Sequence, residues 1–167
     1  MNLKDRINED LLAAFKSSSK EVVSALRFLM SVIKNKELEK RTKLSKENKS
    51  IEELEKLSEL NDDETLNVIL GEIKKRKESI TQYEKGGRID LEEKEKKELE
   101  IIRKYAPEEM PEEELKAVIR KKIAEIGRVT IKDFGKIMSL VMAEVKGRAG
   151  GDMVKKIIEE ELKLRNI

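Results

Sequence analysis

The sequence predicts an all-α protein in which an N-terminal four-helix unit is followed by a C-terminal three-helix bundle. Aromatic residues make up only 3% of the 167 residues and charged residues 43%, so Leu, Ile, Val and Met must supply nearly all of the burial. These apolar residues recur at helical spacing throughout the chain, which a disordered tract has no reason to maintain. We find no strand-like alternation of useful length and no internal repeat.

The first two predicted helices are separated by the run Ser17-Ser18-Ser19. The first helix has one apolar face, formed by Leu3, Ile7, Leu11 and Phe15. Ser18 with Glu21 three residues later is a capping-box pattern, which predicts that the second helix starts there. The core stripe of this helix is Val22, Leu26, Leu29 and Ile33. The pattern fades after Leu38, and residues 41–61 are predicted to form a solvated loop or a weak extra helix.

The third and fourth predicted helices complete the N-terminal unit. The third opens near Asn61-Asp62, whose side chains can accept hydrogen bonds from the first free amides. It ends at Gly86-Gly87, because glycine accepts the left-handed conformation of a helix C-cap. Its apolar residues are Leu66, Ile69, Leu70, Ile73, Ile80 and Tyr83. Asp90 with Glu93 starts the fourth helix. That helix is buried through Leu91, Leu99 and Ile102.

Pro107 and Pro111 bracket a connector that is the best domain boundary in the chain, since proline interrupts helices and restrains the residue before it. The predicted domains are an N-terminal helical domain at residues 1–108 and a C-terminal three-helix domain at residues 109–167. Pro111 suits the first turn of a new helix.

Three short helices make up the predicted C-terminal domain. The fifth helix carries Leu115, Val118, Ile119, Ile123 and Ile126, and Gly127 closes it. Thr130 with Asp133 is predicted to cap the sixth helix. The apolar residues of the sixth are Phe134, Ile137, Met138, Val141, Met142 and Val145. Asp152 is predicted to cap the seventh. Its inward residues are Val154, Ile157, Ile158 and Leu162.

The composition excludes several classes of chemistry. The chain has no cysteine and no histidine, which removes thiolate chemistry, Cys/His zinc sites and imidazole acid/base catalysis. We therefore predict no catalytic residues, no metal site and no cofactor. No apolar run approaches the ~20 residues of a membrane span, and the N-terminus lacks a signal-peptide core. The prediction is a cytoplasmic protein without a membrane partner.

Some polar and aromatic residues are best interpreted structurally. Arg27 interrupts an apolar stripe and is predicted to pair with a carboxylate such as Glu95 or Glu98 at a helix interface. Tyr83 and Tyr105 lie at helical core spacing, which favours packing over stacking on nucleic-acid bases.

The junction between the sixth and seventh predicted helices has the residue types of a phosphate cradle. Lys146 and Arg148 supply positive charge, neighbouring glycines let backbone approach closely, and the next helix points its N-terminal amides outward. The alternative is a C-cap glycine followed by a flexible turn. Lys132 and Lys136 lie four residues apart on the sixth predicted helix and could extend such a contact. The predicted nucleic-acid-binding residues are Lys132, Lys136, Lys146, Gly147, Arg148, Gly150 and Gly151.

Short pieces spread over nearly the whole chain resemble the GatB/YqeY family. They are Leu26-Arg27, Ile33-Lys34-Asn35, residues 75–80, residues 83–91, Glu95, Glu98, Leu99, Tyr105-Ala106-Pro107, residues 135–138 and residues 146–149. The chain departs from the family pattern at Ala106, where leucine is usual, and at Gly150, where aspartate is common. The 41–61 segment is also longer than usual.

The resemblance implies a helical protein whose C-terminal part is similar to the tail of the B subunit of tRNA-dependent amidotransferases. That tail contacts tRNA and is separate from the kinase-like active site, and related domains are appended to some glutaminyl-tRNA synthetases. The implied function is a non-catalytic accessory protein that binds tRNA or a tRNA-handling enzyme, such as an aminoacyl-tRNA synthetase or an amidotransferase.

Two other functions remain open. The first is a component of carbon–nitrogen ligase activity with glutamine as amide donor, as the fused family members imply. It would need a nucleophile and an activating base, and no serine, including Ser24, Ser31 and Ser79, stands in a glycine-serine signature with an evident lysine partner. The second is a protein–protein interaction module that does not bind RNA.

Overall fold

The structure, a computed structural model, describes residues 1–47 and 49–165. Over these ranges the chain is all-α, as predicted, and contains no β-strand. The eight α-helices of this part are α1 (Leu3–Lys16), α2 (Lys20–Leu44), α3 (Ile51–Ser58), α4 (Asp62–Lys85), α5 (Ile89–Arg103), α6 (Glu112–Ile126), α7 (Phe134–Val145) and α8 (Gly151–Arg165). Short 3-10 turns follow α2, at Ser45–Glu47, and precede α7, at Ile131–Asp133. None of the helices in the described ranges is both long and apolar enough to cross a membrane.

The chain divides into two compact units, Met1–Ala106 and Pro107–Ile167. The boundary predicted from the sequence lies after residue 108. The N-terminal unit contains α1 to α5, and the C-terminal unit contains α6 to α8. The predicted four-helix composition of the N-terminal unit is not confirmed, because α3 forms within the 41–61 segment as an additional helix.

Polar contacts support the end of α2 and the start of α3. Ser50 and Glu53 form a reciprocal capping box at the start of α3, with Glu53 N donating to Ser50 Oγ at 3.2 Å. Lys40 Nζ lies 2.8 Å from a carboxylate oxygen of Glu64, so the last turns of α2 are tied to the start of α4. Apolar periodicity cannot report such contacts, which explains why the helical pattern was lost after Leu38.

The core of the N-terminal unit is built from residues that the helical spacing placed inward. Its buried members are Ile7, Leu26, Leu29, Ile33, Ile69, Ile73, Ile102 and Tyr105. The predicted cap of α4 is confirmed, since Asn61 Oδ1 accepts a hydrogen bond from Glu64 N at 2.8 Å. The predicted Ser18 capping box is wrong: Ser18 has φ of 57°, and α2 begins after Ser19 without a side-chain cap.

A buried arginine links α4 to α5, and it is not the one that the sequence analysis selected. The Arg76 side chain places Nη2 2.7 Å from Glu98 Oε2 and Nη1 3.4 Å from Glu72 Oε2. The guanidinium also lies over the Phe28 ring, 5.0 Å from its centroid. The pairing predicted for Arg27 is wrong, because Arg27 is exposed and stacks on another phenylalanine ring.

The C-terminal unit has a core of its own. The predicted apolar residues of its three helices are buried in it, except Val118, Ile126, Phe134, Met138 and Met142, which are partly buried against it. The core residues are Met110, Leu115, Ile119, Ile123, Ile137, Val141, Val145, Ala149, Val154, Ile157, Ile158 and Leu162. Gly127 closes α6 with φ of 89°, a left-handed conformation that glycine adopts without a Cβ clash. The α7–α8 junction contributes Ala149 to this core, which fixes the turn against the helices.

Candidate nucleic-acid interface

The backbone reverses sharply at the end of α7. Lys146 has φ of 44° and ψ of 47°, and Gly147 has φ of 80°, so two consecutive residues are left-handed. Arg148 N then donates to Val145 O at 2.8 Å and closes the turn. Glycine takes this conformation freely, whereas a lysine in it costs on the order of 1 kcal/mol. The Lys146 side chain is exposed.

Arg148 has partners that the sequence analysis did not anticipate. Its Nη1 and Nη2 lie 2.9 and 3.2 Å from the two carboxylate oxygens of Glu114, on the first turn of α6. Its Nε donates to Glu108 O at 3.4 Å, and its own carbonyl accepts from Met110 N at 2.7 Å. Arg148 therefore ties the junction to the segment that leads into α6.

The start of α8 differs from the prediction at its cap. Val154 N donates to Gly150 O at 3.1 Å, so Gly150 occupies the cap position and Asp152 lies in the first turn. The predicted Asp152 cap is wrong because the helix begins earlier. A Cβ at Gly150 would meet no atom within 4 Å, and one at Gly151 would meet only Met138 Cε at 3.7 Å. Steric space does not require glycine at these positions, and their small size leaves the backbone accessible.

Lys132 and Lys136 lie at the opposite end of α7 from Lys146. Lys132 is on the 3-10 turn rather than on the helix itself, and Lys136 is in the first helical turn. The predicted Thr130–Asp133 capping box exists, but it caps the 3-10 turn. Hydrogen bonds from Thr130 hold the pKa of the Asp133 carboxyl below its usual value, and the charge of Lys136 adds to the effect. Ten residues at ~1.5 Å rise place Lys136 and Lys146 about 15 Å apart along α7.

Several cations of this region are exposed and unpaired. Within the part of the chain that the structure describes, Lys132, Lys136 and Lys146 form no salt bridge. The same is true of Arg128, which the sequence analysis missed although it directly follows the helix-ending glycine. By contrast, Lys122 of α6 pairs with carboxylates at 3.3 Å. These cations can therefore approach an external anion without first breaking a salt bridge.

The exposed residues of α7 include one acidic residue, Glu144, and it is paired within the C-terminal unit. The exposed residues of the helix are Gly135, Lys136, Ser139, Leu140, Ala143 and Glu144. Glu144 is turned toward α6, where its carboxylate lies 3.3 Å from Lys122 Nζ. Residues 128–148 contain five basic and two acidic residues, a net charge of +3. We call Lys132, Lys136 and Lys146, with the small residues between them on α7, the α7 surface; it combines positive charge with small side chains.

The chain matches a known protein family over most of its length. Residues 4–162 match the family model described as Yqey-like protein. The chain belongs to the YqeY-like family. The family pieces found in the sequence meet in the structure, since Arg76 of one piece contacts Glu98 of another.

A similar protein is known from fission yeast. "Uncharacterized protein C22F3.15" of Schizosaccharomyces pombe is 35% identical to this chain over 107 residues. The aligned region covers 64% of this chain and 74% of the yeast protein. Its description states no ligand or reaction, so the choice of ligand has to be argued from the surface chemistry of this YqeY-like protein.

Groups that could hold a metal ion are not brought together in the described ranges. No cluster of three or more Asp and Glu residues there has the arrangement of a metal site. The Ser31 hydroxyl donates to Phe28 O of its own helix at 2.7 Å. The α7 surface, with three exposed lysines that form no salt bridge in the described chain, is the candidate binding site of this YqeY-like protein.

Proposed function

We propose that this YqeY-like protein is an accessory protein that binds tRNA through its C-terminal unit, with Lys132, Lys136 and Lys146 contacting phosphates. The observation that carries the proposal is that these three lysines are exposed and form no salt bridge in the described chain. We propose tRNA as the ligand, rather than another polyanion, because the sequence resembles the tRNA-contacting tail of amidotransferase B subunits.

The proposed mechanism is electrostatic and depends on shape. Lysines that neutralise phosphates release condensed counterions, so binding weakens steeply as salt rises. The small side chains of Gly135, Ser139 and Ala143 let the α7 backbone approach a nucleic-acid backbone closely. The chain has only five aromatic residues and none on the α7 surface, so stacking on unpaired bases contributes little. The interaction should therefore discriminate weakly between tRNA sequences.

The test is a titration of labelled total tRNA by fluorescence anisotropy at 50 and 200 mM salt. The variant Lys132→Glu/Lys136→Glu/Lys146→Glu removes three phosphate contacts. At about 0.7 to 0.9 in salt slope for each contact, the wild-type affinity should fall about 20- to 40-fold more across this salt range than that of the variant. Lys94→Glu, an exposed lysine on α5, makes the same type of charge change in the other unit and serves as the control.

The outcomes separate the alternatives. Loss of affinity in the triple variant but not in Lys94→Glu supports the α7 surface. Equal effects of both variants, or no tRNA binding by the wild type, refute the proposal and favour a protein–protein module. Glutaminase activity in the purified chain would instead support a carbon–nitrogen ligase component.

A further inference from the structure

The position of the Arg148 guanidinium is set by backbone contacts. Its carbonyl accepts from Met110 N at 2.7 Å, and its Nε donates to Glu108 O at 3.4 Å. Ala149, the next residue, is buried in the core. These contacts hold the base of the side chain and one edge of the guanidinium, so its placement does not depend on the remaining two nitrogens.

Glu114 occupies those two nitrogens in a bidentate arrangement. The Nη1–Oε1 and Nη2–Oε2 distances are 2.9 and 3.2 Å. Two adjacent oxygens of a phosphodiester present the same fork to a guanidinium, which is why arginine recognises carboxylates and phosphates with the same geometry. The Arg148 side chain is 38% exposed and that of Glu114 46%, so solvent and ligands can reach the pair. Ion pairs of this exposure contribute little to stability and can be exchanged.

We propose that Arg148 is a phosphodiester-binding position next to the α7 surface and that Glu114 competes for it as an internal anion. Binding of RNA would exchange the Glu114 carboxylate for a phosphate while the backbone contacts of Arg148 stay in place. The proposal rests on the proposed function in that its ligand is RNA. It goes further by assigning Glu114 as a residue that weakens the interaction.

The experiment compares Glu114→Gln with Glu113→Gln in the same anisotropy titration. Both variants remove one negative charge from the first turn of α6, but Glu113, 85% exposed, contacts Lys116 and not Arg148. Freeing Arg148 should raise the tRNA affinity of Glu114→Gln about fivefold at 50 mM salt, as expected for an exchanged surface ion pair. It should also steepen the salt slope by about 0.7 to 0.9. Glu113→Gln should change affinity less than twofold.

The double variant Arg148→Gln/Glu114→Gln identifies the residue through which the gain acts. Its affinity should fall back to that of Arg148→Gln alone, because the gain requires the guanidinium. Far-UV circular dichroism and thermal unfolding check that every variant is folded, and Glu114→Ala provides a second substitution at the same position.

The results distinguish the two proposals. An unchanged or lower affinity in both Glu114 variants, with Lys136→Glu still weakening binding, refutes competition at Arg148 and leaves the proposed function standing. A gain that persists in the double variant also refutes it, since the effect would then be one of general charge. Absence of RNA binding by the wild type and by all variants refutes both proposals.

Discussion

Replacing Arg76 with methionine probes the buried ion-pair cluster of the N-terminal unit. Arg76 is 6% exposed and Glu72 is 3% exposed, so the substitution leaves a buried carboxylate without its guanidinium partner. Breaking a buried pair in this way typically costs about 3 to 5 kcal/mol. Glu72 keeps a contact with Lys75 Nζ at 2.7 Å, and Glu98 can reach water, which places the expected loss near the lower end, about 3 kcal/mol.

Urea unfolding followed by tyrosine fluorescence measures this loss in the N-terminal unit alone. The chain has no tryptophan and two tyrosines, Tyr83 and Tyr105, and both lie in that unit. With a denaturant dependence of ~1 to 3 kcal/mol per molar urea, the midpoint should fall by about 1 to 3 M.

Arg27→Met is the matched control for Arg76→Met. The Arg27 guanidinium is exposed and lies 4.4 Å from the centroid of the Phe15 ring, a contact that contributes about 0.5 to 1 kcal/mol. The additional substitution Glu72→Met in the Arg76→Met background should recover part of the loss, because no buried carboxylate remains next to the apolar side chain. A shift of the urea midpoint in Arg76→Met no larger than that in Arg27→Met would contradict the stabilisation assigned to the buried ion pair.

Three further predictions concern the left-handed turn and the buried tyrosine. Lys146→Gly should raise the free energy of unfolding by about 1 kcal/mol, since glycine tolerates φ of 44°. The same variant should lower tRNA affinity, because it removes a positive charge. Changes of stability and affinity in the same direction would contradict this prediction. Gly147→Ala, at φ of 80°, should instead lower stability by about 1 kcal/mol. Urea unfolding followed by circular dichroism checks both. Burial and the bond from Tyr105 to Asp10 raise the pKa of the Tyr105 hydroxyl. The unfolded chain therefore ionises first, and stability should fall as pH rises above the ordinary tyrosine pKa of about 10. Tyr105→Phe should flatten that decline, and an equal alkaline loss in this variant would count against it.

The sequence predicted the positions of helices correctly wherever burial of an apolar face stabilises the helix. The stripes of α2 and α7 were found because residues on one helical face must leave water together, a local property that spacing reports. The end of α2 and the whole of α3 were missed or left open because ion pairs contribute to both, Lys40–Glu64 to the end of α2 and Arg41–Glu55 to α3. A charged residue gives no sign in the sequence of which distant partner it will meet.

At the candidate site, too, the sequence predicted some features and only the structure showed others. The sequence located the basic, glycine-containing junction. The structure exposes Lys146 there, and Lys132 and Lys136 at the other end of α7, without salt bridges in the described chain. The sequence could not show that Arg148 would contact Glu114, which lies 34 residues earlier. Nor could it show that α8 starts at Gly151 and leaves Asp152 inside the first turn.

The sequence by itself determined the helical class, the apolar faces and the membership of the YqeY-like family, because periodicity and short motifs are properties of neighbouring residues. Only the tertiary structure decided which cations are paired and which are exposed. Arg76 and Glu98 are 22 residues apart, and packing of α4 against α5 brings them within 2.7 Å. Such partners are chosen by the packing of apolar faces, and the charges left without a partner define the surface that we propose binds RNA.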